Sequence, residues 1–405
     1  VAVAATTLYQ QARLARSDQR FHVDYWLLGA VLALLAIGLL MMGSASIAIA
    51  DKQYGEPFYY IWRQVVFIGI ALMLGWGVLH VPVEFWNKAS PYLLFVGMVL
   101  LVMVLLLGKE VNGSSRWLSL GVLNIQPSEL MKLFVVVFLA GYLVRRGEEV
   151  RTTMKGFLKP MLILGVVGIL LLLEPDFGSG VVIAFTALGL MFLGGVRIWQ
   201  FGVLLLVMAS SLMMLAYSSP YRVERLTSFL NPWADPFDSG FQLTQALIAF
   251  GRGEWLGVGL GHSVQKLFYL PEAHTDFLFA VIAEELGLWG GMLVIGLFTI
   301  VVFRAFRIGH VALCHNARFA GYLAFGIGLL MGFQALINIG VNMGILPTKG
   351  LTLPLMSYGG SSMIATCVAC AILLRIGHQY PDALPDADAT QHNQRKQRRG
   401  NRRVK

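Results

Sequence analysis

Apolar runs of about twenty residues, separated by short polar punctuation, set the pattern of this chain. Ten runs stand out, at residues 25–47, 59–79, 92–107, 128–144, 157–173, 178–195, 198–217, 276–303, 319–343 and 355–374. A helix rises about 1.5 Å per residue, so about 20 apolar residues cross the ~30 Å hydrocarbon core of a bilayer. The pattern predicts an all-α integral membrane protein of about ten transmembrane helices. It divides the chain into a cytoplasmic N-terminal segment (1–23), a membrane domain (24–376) and a basic tail (377–405) that reads as disordered.

Two polar connections are long. One spans 108–127. The other, 218–275, is rich in aromatics and Gly, which predicts an ordered loop. Within it, 242–250 has the pattern of a short amphipathic helix lying against the membrane. The Gly-rich stretch 251–261 lacks the preceding strand and the Gly-Lys-Ser/Thr of a nucleotide loop, so it reads as a tight, close-packed turn. Pro354 and the small residues that follow it predict a broken, cavity-lining start to the last span.

Composition sharpens this picture. The 405 residues are 57% hydrophobic and 13% charged, with a mean hydropathy of +0.69. Soluble domains carry about a quarter charged residues, so a string of soluble domains is excluded. The first apolar run has no clear cleavage site and reads as a retained span. About two thirds of the 31 Lys and Arg fall on one side if the N-terminus is inside, which predicts cytoplasmic termini and an outward-facing 218–275 loop. The net charge is +9, and the basic tail reads as a topology determinant or as a binding segment for acidic lipid or a cytoplasmic partner; no nucleic-acid partner is expected. Of the three cysteines, Cys367 and Cys370 form a Cys-x-x-Cys inside an apolar run. They read as small packing residues, and no metal cluster is evident.

Charges within or at the mouth of such spans are costly, so each is a candidate for function. Asp276 opens the eighth run, close to Glu272 and His274. It reads either as a helix cap or as a partly desolvated general base. Glu284 and Glu285 follow; successive helix positions differ by about 100°, so they should face different ways, with at least one facing the bundle interior and finding a partner, in a structural ion pair or a cytoplasm-facing polar cluster. Glu129 and Lys132, at i and i+3, are a self-neutralising pair or a cationic floor for phosphate. Arg63 snorkels or supplies a second cation. Arg222, Arg225, Arg252 and Lys266 are solvated, or meet an anionic headgroup. Ser357 has neither an elbow motif nor a His partner and is no hydrolytic nucleophile.

Four blocks carry a family resemblance: Arg116-Trp-Leu-Ser-Leu-Gly121 with Gln126-Pro-Ser-Glu-Leu-Met-Lys132, Asn231-Pro-Trp233 with Gly240-Phe-Gln-Leu-Thr-Gln245, residues 270–287, and residues 347–362. With the ten-span layout they resemble the SEDS (shape, elongation, division, sporulation) family. Residues 269–276 and 347–354 are similar to its division branch more than to its elongation branch.

The resemblance implies a peptidoglycan glycosyltransferase of the bacterial inner membrane, at the division septum, with its site facing the periplasm. It would extend a glycan on undecaprenyl diphosphate with lipid II. Asp276 matches the family's essential acidic position and takes the general-base role. Lys132 and Glu129 match its Lys/Glu pair, and Arg63 a basic position in the second span. On this reading Lys132 and Arg63 meet the diphosphate, with Arg222, Arg225 and His274 as further substrate contacts. A divalent cation, Mg or Mn, could help neutralise the diphosphate. The implied partners are a class B penicillin-binding transpeptidase and the regulators FtsQ, FtsL and FtsB. A lipid II flippase and a non-catalytic scaffold are the alternatives.

Overall fold

The computed structural model describes residues 23–111, 114–120, 123–197, 199–200, 231–234, 236, 240–267, 269–347 and 350–381, with isolated positions 202, 206, 210 and 213. Among the described residues seven helices precede Asp276 in sequence: α1 (Tyr25–Tyr54), α2 (Tyr59–Leu79), α3 (Val83–Leu107), α4 (Pro127–Thr152), α5 (Met154–Leu173), α6 (Phe177–Leu193) and α7 (Phe241–Gly253). Three follow: α8 (Leu278–Cys314), α9 (Arg318–Asn342) and α10 (Gly360–Gln379). Eight of these are long and apolar enough to cross a membrane, and α6 is a shorter apolar helix. The chain is an integral membrane protein. The expected span at 198–217, both termini, and Arg222 and Arg225 lie outside the described residues.

Side-chain contacts fix the two ends of the bundle. At one end Asp24 pairs with Arg304 of α8, and Gln379 of α10 meets Glu84 of α3. The opposite end gathers the starts of α2, α4, α6 and α8, and the candidate site lies there. Buried α4 and α9 form the centre of the bundle, and the outer faces of α2, α3 and α5 are apolar and exposed, as lipid-facing surfaces are.

The third helix starts earlier than the expected residue 92, because Pro91 sits inside it. Proline lacks the N–H that would reach the Asn87 carbonyl. The Ser90 hydroxyl donates to that carbonyl instead, at 2.9 Å. Pro160 in α5 orphans the Gly156 carbonyl in the same way, and the Tyr142 hydroxyl serves it at 2.8 Å. Both helices therefore keep a proline without leaving a carbonyl unpaired in an apolar medium.

Four further features add to the sequence reading or depart from it. The 108–127 connection contains a small antiparallel sheet, β1 (Lys109–Val111), β2 (Ser114–Leu120) and β3 (Leu123–Ile125), in the order β1-β2-β3. The amphipathic helix α7 turns an apolar residue onto protein: Phe250 meets Phe279 of α8 at 5.9 Å between ring centroids. The last span begins at Gly360, not residue 355, and 351–359 is non-helical. Met356 of that segment reaches Gly38, near the middle of α1. The segment is thus re-entrant, as Pro354 suggested.

The fourth feature is in α8, expected as a single span over 276–303. It is broken at Gly287, with φ 65° and ψ −163°. The Glu284 and Glu285 carbonyls accept from the Val258 and Gly259 N–H groups at 2.9 and 3.1 Å. The Leu288 and Trp289 N–H groups donate to the Glu254 and Trp255 carbonyls at 2.9 and 3.4 Å. The 253–259 turn therefore supplies the hydrogen bonds that the break removes, which is the condition for irregular backbone at membrane depth. The part after the break is about 40 Å long and crosses by itself. A Cβ at Gly287 would lie 2.4 Å from the Gly257 nitrogen, at a φ that favours glycine. Gly287→Ala is expected to lower the thermal unfolding temperature in detergent, by an amount equivalent to about 2 kcal/mol or more.

Glu284 and Glu285 are both fully buried, and both are partnered by the 252–266 loop. Glu284 pairs with Arg252 at 3.3 Å and accepts from the Ser263 hydroxyl and the Val264 N–H. Glu285 pairs with Lys266 at 2.7 Å and accepts from Ser44 of α1 at 2.8 Å. Glu284 reaches Arg252 of α7 and Glu285 reaches Ser44 of α1, and the loop wraps the end of the first helical part to serve both. Arg252 and Lys266 are thereby assigned to these pairs rather than to a headgroup. Cys367 and Cys370 are free and buried in α10, as packing residues are.

Candidate active site

Asp276 stands in the turn just before α8, partly exposed. Its own backbone carbonyl is held by two amides of α9: Asn338 Nδ2 donates at 2.9 Å and Asn342 Nδ2 at 3.0 Å. Asn342 Oδ1 also accepts from the Ala280 N–H at 3.1 Å, which ties down the first turn of α8. Asn338 donates in addition to the Leu351 carbonyl, so one side chain joins Asp276 to the re-entrant segment. One turn earlier on α9, Gln334 Nε2 donates to the Thr352 carbonyl at 3.1 Å. Gln64 of α2 serves the Ser357 carbonyl at 3.3 Å from the other side. Three buried amides thus replace the helical hydrogen bonds that 351–359 does not make.

The Asp276 carboxylate faces Gly350. A Cβ on Gly350 would stand 3.1 Å from Asp276 Oδ2 and 3.9 Å from Arg116 Nη1, so both groups border the same small space. Arg116, on β2, is half-buried. Its Nε donates to the Glu174 carbonyl at 3.4 Å and its Nη2 to the Pro175 carbonyl. The turn between α5 and α6 brings in two more carboxylates. Asp176 caps α6 through the Ser179 N–H and accepts from Ser128 at 2.7 Å and from Gln126. Glu174 is 1% exposed, and neither of its carboxylate oxygens has a hydrogen-bond partner.

Burial dominates the protonation states here. It pushes Asp276 up to about 7; Glu272 adds to the rise and Arg116 opposes it. Burial pushes Glu174 up to about 8, with Asp176 adding and Arg116 opposing. Glu174 is therefore mostly neutral at pH 7. His274 is shifted down by burial, against the pull of Glu272, so its imidazole is neutral. An aromatic cluster surrounds it: Tyr60 lies 4.8 Å and Tyr358 5.8 Å from its ring centroid.

The residues singled out from the sequence divide into three groups. Lys132 is 2% exposed and pairs with Glu129 at 2.8 Å, as the i, i+3 spacing suggested, and it also donates to Gln334 at 2.9 Å. Glu129 and Asp276 are close enough to interact electrostatically. Arg63 belongs to the aromatic side, where its Nη1 donates to the Tyr59 hydroxyl at 2.7 Å. Arg222 and Arg225 lie outside the described residues. The sequence reading gave no role to Arg116, Glu174, Asp176, Gln334, Asn338 or Asn342. The last three had a signal: amides at i, i+4 and i+8 on one face of an apolar helix.

A broken helix, a re-entrant segment and a carboxylate beside an arginine define a polytopic membrane protein with a cluster of charged and amide side chains at one end. Residues 25–381 match the FtsW/RodA/SpoVE family, described as cell cycle protein, and the chain belongs to that family. It is 58% identical to the probable peptidoglycan glycosyltransferase FtsW of Nitrosococcus halophilus, over 87% of this chain and 92% of that one. To the protein of the same description in Coxiella burnetii it is 55% identical, over 90% and 98%. Among solved structures, a chain from a peptidoglycan synthase complex that coordinates polymerization and crosslinking aligns with a TM-score of 0.73 at 29% identity, over 90% of this chain and 100% of that one. The rod shape determining protein RodA of Thermus thermophilus aligns at 0.65 and 28%, over 89% and 98%.

Proposed function

We propose that the chain polymerises lipid II into β-1,4-linked glycan, with Asp276 as the general base. The observation that carries this reading is a partly desolvated carboxylate, fixed through its own carbonyl by Asn338 and Asn342, at the end of the bundle where the starts of α2, α4, α6, α8 and α10 converge. In the step, the 4-hydroxyl oxygen of the acceptor lipid II attacks C1 of the growing chain. Its proton passes to the Asp276 carboxylate. The C1–O bond breaks, and its electron pair leaves on the oxygen of polyprenyl diphosphate. Attack from the face opposite the leaving group inverts C1, so an α-linked donor gives a β-linked product. The names of the relatives support the reaction class.

Lys132 and Glu129 act as an organised pair: through Gln334 they fix Thr352 of the re-entrant segment and with it the floor of the site. His274, neutral and 8% exposed, and Arg63 contribute the aromatic-side wall of the substrate cleft. Arg222 and Arg225 are assigned to substrate on the resemblance alone. Among the described residues no three His, Cys, Asp or Glu side chains converge on a possible metal position, so no step is routed through a resident ion. A Mg or Mn ion would accompany the diphosphate.

On this reading the site faces the periplasm, at the septum of the inner membrane. The chain would work with a class B penicillin-binding transpeptidase under FtsQ, FtsL and FtsB. A solved neighbour that belongs to a synthase complex supports such a partner.

The test is polymerisation of labelled lipid II by the purified chain with its cognate transpeptidase, the transpeptidase site being blocked and no other glycosyltransferase present. Glycan polymer is expected; lipid II that crosses liposomes without ever being polymerised would favour the flippase instead. A base with a pKa of about 7 must be deprotonated to act, so the rate should rise with pH through a midpoint near 7. A flat profile between pH 5.5 and 8 would mean an ordinary aspartate.

A further inference from the structure

We infer that Arg116 is the fixed cation that receives the departing diphosphate. This rests on the glycosyltransferase reading and names a contact that reading leaves open. Three described cations stand near the site. Lys132 is enclosed by Glu129 and Gln334 and is 2% exposed, so its charge is already neutralised. Arg63 is committed to Tyr59, whose ring centroid lies 5.5 Å from its guanidinium carbon. Arg116 is half-buried and borders the same space as the Asp276 carboxylate.

The two acidic residues of the turn it grips do not cancel it. Glu174, the nearest acidic residue in the turn it grips, offers Arg116 its backbone carbonyl and not its carboxylate. That carboxylate is enclosed without a hydrogen-bond partner, where the charged form is disfavoured. Asp176 is occupied by Ser128, Gln126 and the Ser179 N–H. The Nε and Nη2 contacts to two backbone carbonyls fix the guanidinium plane, so little reorganisation is needed when charge develops beside it.

The charge balance then follows the reaction. Before attack, the negative group beside Arg116 is ionised Asp276. As Asp276 takes the hydroxyl proton it becomes neutral, and a negative charge appears on the leaving oxygen instead. With reacting atoms about 3 Å apart, that oxygen lies about 6 Å from the base. A fixed guanidinium bordering the base is within reach of both charges, and it lowers the barrier to the extent that it lies nearer the leaving oxygen than the base.

The experiment measures binding of farnesyl diphosphate and of farnesol to the complex in detergent, by calorimetry, beside lipid II polymerisation by the same preparations. Arg116→Gln is expected to weaken diphosphate binding by tenfold or more and to leave farnesol binding unchanged. Arg116→Lys should recover part of the loss. Asp276→Asn should bind diphosphate at least as tightly as the parent, since it removes a negative neighbour. Diphosphate binding by Arg116→Gln equal to that of the parent overturns the inference. So does a parallel loss of diphosphate and farnesol, which would mark Arg116 as a clamp on the α5–α6 turn. If the parent polymerises lipid II and the variant's diphosphate affinity holds, only this inference fails. If the parent does not polymerise, the reading beneath it fails.

Discussion

Asp276→Asn is expected to cut lipid II polymerisation by 10²-fold or more, the range that a positioned general base contributes. The substitution keeps the shape and removes the ability to take a proton. The backbone carbonyl of residue 276 still accepts from Asn338 and Asn342, so the turn and the start of α8 should remain in place. Assembly with the transpeptidase should therefore survive, which separates lost chemistry from lost folding. Stability gives an independent check. An acid whose pKa rises from 3.8 to about 7 on folding costs stability as pH climbs through that interval, and the cost is complete above it. The variant should accordingly unfold at a higher temperature than the parent at pH 8, with the gap closing toward pH 4. Polymer from both proteins at equal rates would remove Asp276 as the base and leave the enzyme without one.

Glu285→Ala is expected to cost about 3–5 kcal/mol of stability, the range for stranding one partner of a buried ion pair. Lys266 is 8% exposed and donates to Glu285 and to Ser44; without the carboxylate its ammonium has no counter-charge there. The same loss reduces the tie between this loop cluster and Ser44 of α1 to the Lys266–Ser44 hydrogen bond. Thermal unfolding in detergent reads the effect. Adding Lys266→Met should recover much of it, since the stranded charge is then gone. An unchanged unfolding temperature in the single variant would show that water reaches the cluster and solvates Lys266.

The membrane class was legible in the sequence because hydropathy reports burial in lipid directly, and most helix positions followed. The misplacements have a common cause. Residues 351–356 are as apolar as a helix, so composition could not show that 351–357 runs as irregular backbone served by Gln64, Gln334 and Asn338. Gly287 looked like one more glycine in an apolar run, since its hydrogen-bond substitutes lie about 30 residues away. The Asp276 position was readable from its unusual place and its motif. Arg116 was not, because its meaning depends on the hairpin that folds it over the α5–α6 turn. The Lys132–Glu129 pair was readable, since three residues of one helix determine it.

The broken helix also constrains how the chain can diverge. A side chain at Gly257 would meet the Glu285 carbonyl at 2.2 Å, and one at Gly287 would meet the Gly257 nitrogen at 2.4 Å. In both cases the obstacle is backbone, so no smaller neighbour at the other position can make room. The two glycines cannot drift as a compensating pair; each is fixed separately. Length is fixed as well between 253 and 259, where four hydrogen bonds tie that turn to both sides of the break. An inserted epitope or fluorescent label would have to enter elsewhere, because one added residue in this turn would shift every bond beyond it.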